Sequence, residues 1–199
     1  MSTKIAIIFI FSHRQIIMYS FMKEITLYDK KFRELISEND IKERIQKLGA
    51  DISADLEGKD VVFLGILNGA FLFAADLFRC ISLQAKISFV KLASYEGTKS
   101  SGSIKELIGW NEDIRRKTIV IIEDIVDTGN TLERIIDELV IRKVSEVRIA
   151  TLLFKPTAYT KEIPLDYVGF EIPDNFVVGY GLDYDGYGRN LSSVYSLVD

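Results

Sequence analysis

Residues 119–132 read IVIIEDIVDTGNTL, in which an apolar run drives straight into Glu123 and Asp124 and a third carboxylate, Asp127, follows. In an open parallel sheet, ligands bind beyond the carboxyl ends of the strands, and these acids stand at such an end. Neighbouring residues of an extended chain point to opposite sides, so Glu123 and Asp124 are not both expected in the core. The next residues, Asp127-Thr128-Gly129-Asn130-Thr131, form a small polar turn ahead of a helical pattern. A glycine-bearing turn at a helix N-terminus presents successive N–H groups and makes an anion site, to which the Thr128 and Thr131 hydroxyls add donors. The spacing lacks G-x-x-x-x-G-K-[ST], so a nucleoside triphosphate is not indicated. Acids that accept from ribose hydroxyls, beside a cradle for phosphate, suit a sugar phosphate. The plainer alternative is that Asp127 or Thr131 caps the helix and Glu123 pairs with an arginine.

These residues need a scaffold, and the rest of the chain supplies its outline. A helix starts at Ser37–Asp40, with Ile41, Ile45, Leu48, Ile52 and Leu56 at helical spacing, and Gly58 ends it. VVFLGIL (61–67) has the unbroken apolar pattern of a strand buried on both faces. A helix over 70–82, a strand over 86–95, a polar glycine-bearing stretch at 96–103 and strands near 104–110 and 118–122 come next. A helix over about 130–142 and a buried strand, VRIATLLF (147–154), complete the alternation. Shorter strands near 165–170 and 176–180 read as an added lobe rather than a further βαβ unit. Strands alternating with helices predict an α/β fold around a mostly parallel sheet.

Bulk composition narrows the function. The 199 residues suffice for one well-cored domain, and the net charge of −4 lacks the basic face that nucleic acid requires. The single cysteine, Cys80, excludes a disulfide framework and reads as core. The single histidine, His13, lies in the leader, so a general base in the body comes from a carboxylate, Lys or Tyr. Residues 1–21 carry the apolar run Ile5–Phe11, at the short limit for a signal peptide, without an A-x-A-like cleavage site and too short to span a bilayer. Met22 opens a normal-looking start, so residues 1–21 are expected to be an upstream extension and the protein cytoplasmic, with no membrane partner.

The stretch IVIIEDIVDTGNT closely resembles the phosphoribosyl-pyrophosphate motif of the type I phosphoribosyltransferases, an apolar strand, two acids, two hydrophobics and then D-T/S-G-x-T. VVFLGILNGAFLFAADL, VKLASYEGTKSSG, TLLFKP and VGFEIPDNFVVGYGLDYDGYGRNL resemble, in order, segments of the hypoxanthine–guanine members, from residue 24 to the C-terminus. The resemblance implies a type I fold with a core over about 38–156 and a small hood from the chain ends, chiefly 157–199. It implies transfer of a 5-phosphoribosyl group to N9 of hypoxanthine or guanine, with Mg²⁺, in a homodimer or homotetramer.

It also implies roles residue by residue. Glu123 and Asp124 bind the ribose hydroxyls and, with Asp183, the metal. Residues 127–131 hold the 5′-phosphate, with Asp127 the acid–base group at the purine N7. Lys155 donates to the 6-oxo group, opposing adenine and orotate more than xanthine; a charge-assisted bond of about 1.5–3 kcal/mol favours an oxopurine roughly tenfold or more. Phe176 stacks on the purine, the Val177 backbone reads its edge, and Asp183 lies beside both base and metal. Asn68, Gly69 and Arg189 serve the pyrophosphate. Many members carry Lys before Gly in a cis peptide, so Asn68 departs from that form, and a cis bond is expected at 68–69. Ser94 and Tyr95 open a lid. A sensor that binds the same sugar without catalysis would need a DNA-binding module, for which the leader is too short.

Overall fold

A computed structural model describes residues 23–92, 106–108 and 113–198. In chain order it holds β1 (Glu24–Leu27), β2 (Lys30–Ile36), α1 (Glu38–Asp55), β3 (Val61–Leu67), α2 (Phe71–Arg79), β4 (Ala85–Leu92) and β5 (Glu106–Ile108). There follow β6 (Thr118–Val126), α3 (Asn130–Ile141), β7 (Glu146–Phe154), β8 (Tyr167–Glu171), β9 (Val177–Val178) and β10 (Val194–Leu197). The larger sheet runs β5-β4-β3-β6-β7-β8; β4, β3, β6, β7 and β8 pair in parallel, and β5 pairs antiparallel at the edge. The smaller sheet runs β1-β2-β10-β9, antiparallel throughout.

Local sequence explains the central elements. Ser37 caps α1 by accepting from the Asp40 amide, and Ile41, Ile45, Leu48 and Ile52 form its buried stripe. Gly58, at φ +76°, turns the chain just beyond that helix. The strands β3 and β6 are covered on both faces. Phe63, Val120 and Ile122 pack with α1 and α2, while Val62, Ile119 and Ile121 pack with Leu132, Ile135 and Leu139 of α3. Cys80 is half-buried against the first of these clusters, close to the expected core position.

Three expectations need correction. First, β8 is not part of an added lobe: it pairs in parallel with β7 as the edge of the main sheet, which extends the core beyond 156. The chain from 155 to 166 crosses without a helix, so it is not a βαβ unit either. Second, the hood owes as much to the start of the chain as to its end, because β1 and β2 flank β10 and β9. Third, β6 continues four residues past 122, carrying Glu123 and Asp124 within a paired strand. Residues 1–21 lie outside the described residues. Among the described residues no helix is long and apolar enough to cross a membrane.

Candidate active site

A cavity of about 500 Å³ opens where the carboxyl ends of β3, β6 and β7 meet the hood. Glu123, Asp124, Asp127, Thr131, Lys155, Phe176, Val177, Asp183, Arg189 and Gly69 all line it. Asn68, Thr128, Gly129 and Asn130 do not line it. Ser94 and Tyr95 lie outside the described residues.

Both acids at the end of β6 are buried, each 8% exposed, against the expectation that alternation keeps one out of the interior. The alternation rule separates two faces, but this strand is central and both of its faces are covered. Burial drives the Glu123 carboxyl well above the usual carboxylate range, and the nearby Asp124 pushes the same way. Burial also raises Asp124, to about 6, against the pull of the Asp124 and Ile125 amides and of Arg189. Glu123 Oε2 has no hydrogen-bond partner among the described residues. A buried carboxylate oxygen without a donor costs about 1–3 kcal/mol or more, so this atom is suited to a hydroxyl or a cation brought by a ligand.

The turn after β6 removes the plainer alternative. The residue at the N-cap of α3 is Gly129, at φ +84°, which offers no side chain to cap the helix. Neither Asp127 nor Thr131 acts as the cap, and Glu123 Oε2 meets no arginine among the described residues. Thr128 Oγ1 accepts from the Asn130 amide at 3.4 Å, and Thr160 donates through both its amide and hydroxyl to the Thr128 carbonyl. A side chain on Gly129 would run into the Tyr159 ring and Lys161. Thr128 thus takes the Asn130 amide, and the amides that follow it stand in a braced helix N-terminus whose N-cap residue brings no side chain to them.

Lys155 follows the end of β7 with its side chain almost wholly enclosed, not reaching to solvent. Its Nζ lies 3.4 Å from Asp127 Oδ2 and 3.1 Å from Asp174 Oδ1. Phe176 is 46% exposed and lines the cavity, which rules out plain core packing. It rests edge-on against Tyr184, with ring centres 5.9 Å apart. Tyr184 in turn donates to Asp29 at the tip of the β1–β2 hairpin. Asp183 is held by Arg189, 2.5 Å away, and by the Gly186 amide.

The loop after β3, expected to serve the pyrophosphate, carries a cis peptide at Leu67–Asn68, one bond earlier than the expected 68–69. Gly69 stands against the Asp124 carboxylate, and Gly181 packs over the Gly69 carbonyl. No group of three or more Asp, Glu, His or Cys among the described residues is placed to hold a metal unaided. The three carboxylates expected at the metal therefore do not form a closed protein cage. Their oxygen-only character and the orphaned Glu123 Oε2 still fit a hard divalent ion that takes its other ligands from substrate.

Three contributors carried no recognised signal in the sequence. Asp174 stands in the EIPDNF stretch, where it reads as an ordinary turn residue. Arg134 lines the cavity one turn into α3, a position that helical spacing from Asn130 makes visible. The Tyr28–Asp29 hairpin tip has no local signal pointing to the site.

The chain matches the phosphoribosyl transferase domain over residues 34–185. It is 40% identical over 180 residues to the hypoxanthine-guanine phosphoribosyltransferase of Aquifex aeolicus, covering 89% of this chain and 100% of that one. To the hypoxanthine phosphoribosyltransferase of Haemophilus influenzae it is 43% identical over 168 residues, covering 82% and 94% of the two chains. A crystal structure of a hypoxanthine phosphoribosyltransferase from Staphylococcus aureus superposes with a TM-score of 0.78 at 42% identity, covering 83% of this chain and 90% of that one. With the carboxylate strand end, the glycine-bearing turn and these relatives in agreement, the chain belongs to the phosphoribosyltransferase family, in its hypoxanthine–guanine branch.

Proposed function

We propose that the protein transfers the 5-phosphoribosyl group of phosphoribosyl pyrophosphate to N9 of hypoxanthine or guanine, giving IMP or GMP and releasing pyrophosphate. The observation that carries this reading is that Lys155 and Phe176 line the same cavity as Glu123, Asp124 and Thr131. Their meeting at the carboxyl end of the sheet supports reading them as a base reader, a hydroxyl-binding strand end and a phosphate cradle.

Each residue then has a chemical role. Glu123 and Asp124 accept from the ribose hydroxyls, and the 127–131 turn with the α3 amides takes the 5′-phosphate. Phe176 stacks on the purine, Lys155 donates to O6, and the Val177 backbone reads the base edge. As the N9–C1′ bond forms, the C1′–O bond to pyrophosphate breaks, and the purine proton at N7 passes to Asp127. Arg189, with Gly69 and Asn68 on the opposite loop, receives the pyrophosphate. Mg²⁺, held by Glu123, Asp124 or Asp183 together with substrate oxygens, would supply charge neutralisation to the leaving group. We place the enzyme in the cytoplasm as a homodimer or homotetramer.

Initial rates with phosphoribosyl pyrophosphate and Mg²⁺ against hypoxanthine, guanine, xanthine and adenine test the reading. Turnover of hypoxanthine and guanine at least tenfold above adenine is expected, from the charge-assisted bond that Lys155 offers O6. Turnover of adenine alone, or binding of the sugar without turnover of any purine, would overturn it.

A further inference from the structure

The geometry points to Asp174 as a positioning residue that shares the Lys155 ammonium with Asp127, holding it on the purine side of the site and keeping it from being drawn fully onto Asp127. The inference rests on the purine site proposed above.

Lys155 is one cation between two carboxylates. Its Nζ is closer to Asp174, at 3.1 Å, than to Asp127, at 3.4 Å. The backbone builds this arrangement on both sides of the lysine. The Lys155 amide donates to the Val126 carbonyl, which fixes it beside the end of β6 and hence beside Asp127. The Ile172 amide donates to the Phe154 carbonyl, which fixes the Asp174 turn on the other side. That turn then runs within two residues into Phe176, so the anchor of the lysine and the stacking ring share one short segment.

The two carboxylates have different demands on the same ammonium. Asp127 has to receive the purine proton in the proposed reaction, and an ammonium drawn fully onto it would occupy the carboxylate oxygens that must accept that proton. Asp174 carries no such demand, being largely solvent-exposed and outside the cavity lining. With Asp174 as the nearer partner, Lys155 keeps a compensating charge while donors remain for O6 and for Asp127. Removing the Asp174 charge leaves Asp127 as the remaining carboxylate beside the enclosed ammonium. The lysine then closes onto it, at the expense of both base recognition and proton acceptance.

The test is a double-mutant cycle in steady-state kinetics on the full chain, with wild type, Asp174→Asn, Asp174→Glu, Lys155→Met and the Asp174→Asn/Lys155→Met pair. Asp174→Asn is expected to raise KM for hypoxanthine about tenfold and lower kcat severalfold, leaving KM for phosphoribosyl pyrophosphate within about twofold. Asp174→Glu restores most of both. In the Lys155→Met background, Asp174→Asn changes kcat/KM by less than about twofold, because the group it positions is gone. An unchanged Asp174→Asn enzyme overturns the proposal. So does an equal loss with and without Lys155, or an equal rise in both KM values, which marks a general disturbance of the turn. If the wild type fails to turn over any 6-oxopurine, the reaction itself falls and Asp174 loses its purine role with it. Wild-type turnover with an indifferent Asp174→Asn removes only the positioning role.

Discussion

Gly69 stands so close to Asp124 that a methyl group on its Cα would overlap the carboxylate, and Gly181, at φ +101°, closes over the Gly69 carbonyl from the other side. Two glycines and a buried acid are stacked in one column between the loop after β3 and the hood. Forced insertion of one methyl into such packing costs about 1–3 kcal/mol, and here relief requires moving Asp124 or the loop itself. Gly69→Ala is therefore expected to lower kcat/KM by roughly 100-fold or more, with a drop in the thermal midpoint of a few degrees. Kinetics with both substrates and a melting scan check this; activity close to that of wild type would show that the column has room to spare.

The buried acids make stability depend on pH in a direction opposite to most carboxylates. Asp124 is raised from an ordinary 3.8 to about 6, so the folded chain holds its proton more tightly than the unfolded chain does. The stability conferred by that proton is complete below about pH 4 and is lost as pH rises through about 6. The difference corresponds to about 3 kcal/mol. Glu123 is displaced the same way, in part by Asp124, so one substitution relieves both. In chelator-treated protein without substrate, Asp124→Asn is expected to melt roughly 6–12 °C above wild type at about pH 7.5 and close to it at about pH 4. A difference that is constant with pH would show that the gain is not electrostatic.

Asp127 is half-exposed beside Lys155 and free of any capping duty. As the proposed proton acceptor it should govern the chemical step more than binding. Asp127→Asn keeps the size and most of the hydrogen bonding, so the fold and the KM for phosphoribosyl pyrophosphate are expected to change little. The loss of a general base is typically worth about 10²–10⁴-fold in rate. Single-turnover measurement with hypoxanthine separates the step from product release; a mutant with an unchanged single-turnover rate would move the base elsewhere.

Much of the catalytic face was legible because its signals are local. The Ser37 cap, the α1 stripe and the apolar runs of β3 and β7 each report on neighbours a few residues away. The acids and the phosphate turn are likewise tied by short spacing. The hood was not legible, because β2 finds its partner β10 only across the whole chain and alternates charge around Phe32 and Ile36, the two buried residues of KKFRELI. The position of β8 was hidden for the same reason: an edge strand that pairs in parallel without a helical crossover has no periodic signature. Joint burial of Glu123 and Asp124 escaped the alternation argument because alternation decides which face a residue takes, not whether both faces are covered.

Phe176 shows how such tertiary context frees a hydrophobic residue from the core for the purine role proposed above. In the strand pattern it reads as core, yet it is 46% exposed and its ring is buttressed edge-on by Tyr184. Tyr184 is itself fixed by a 2.8 Å hydrogen bond to Asp29 and by contact with the Phe32 ring 6.2 Å away. Because the ring gives up little core burial, Phe176→Ala should leave the thermal midpoint within a few degrees of wild type. Base–aromatic stacking is worth about 1–3 kcal/mol, so KM for hypoxanthine and guanine should rise roughly 5- to 150-fold together. Phe176→Tyr should stay near wild type, and KM for phosphoribosyl pyrophosphate should hold throughout. A large melting loss with unchanged purine KM would return Phe176 to the role of a packing residue and require another surface for the base.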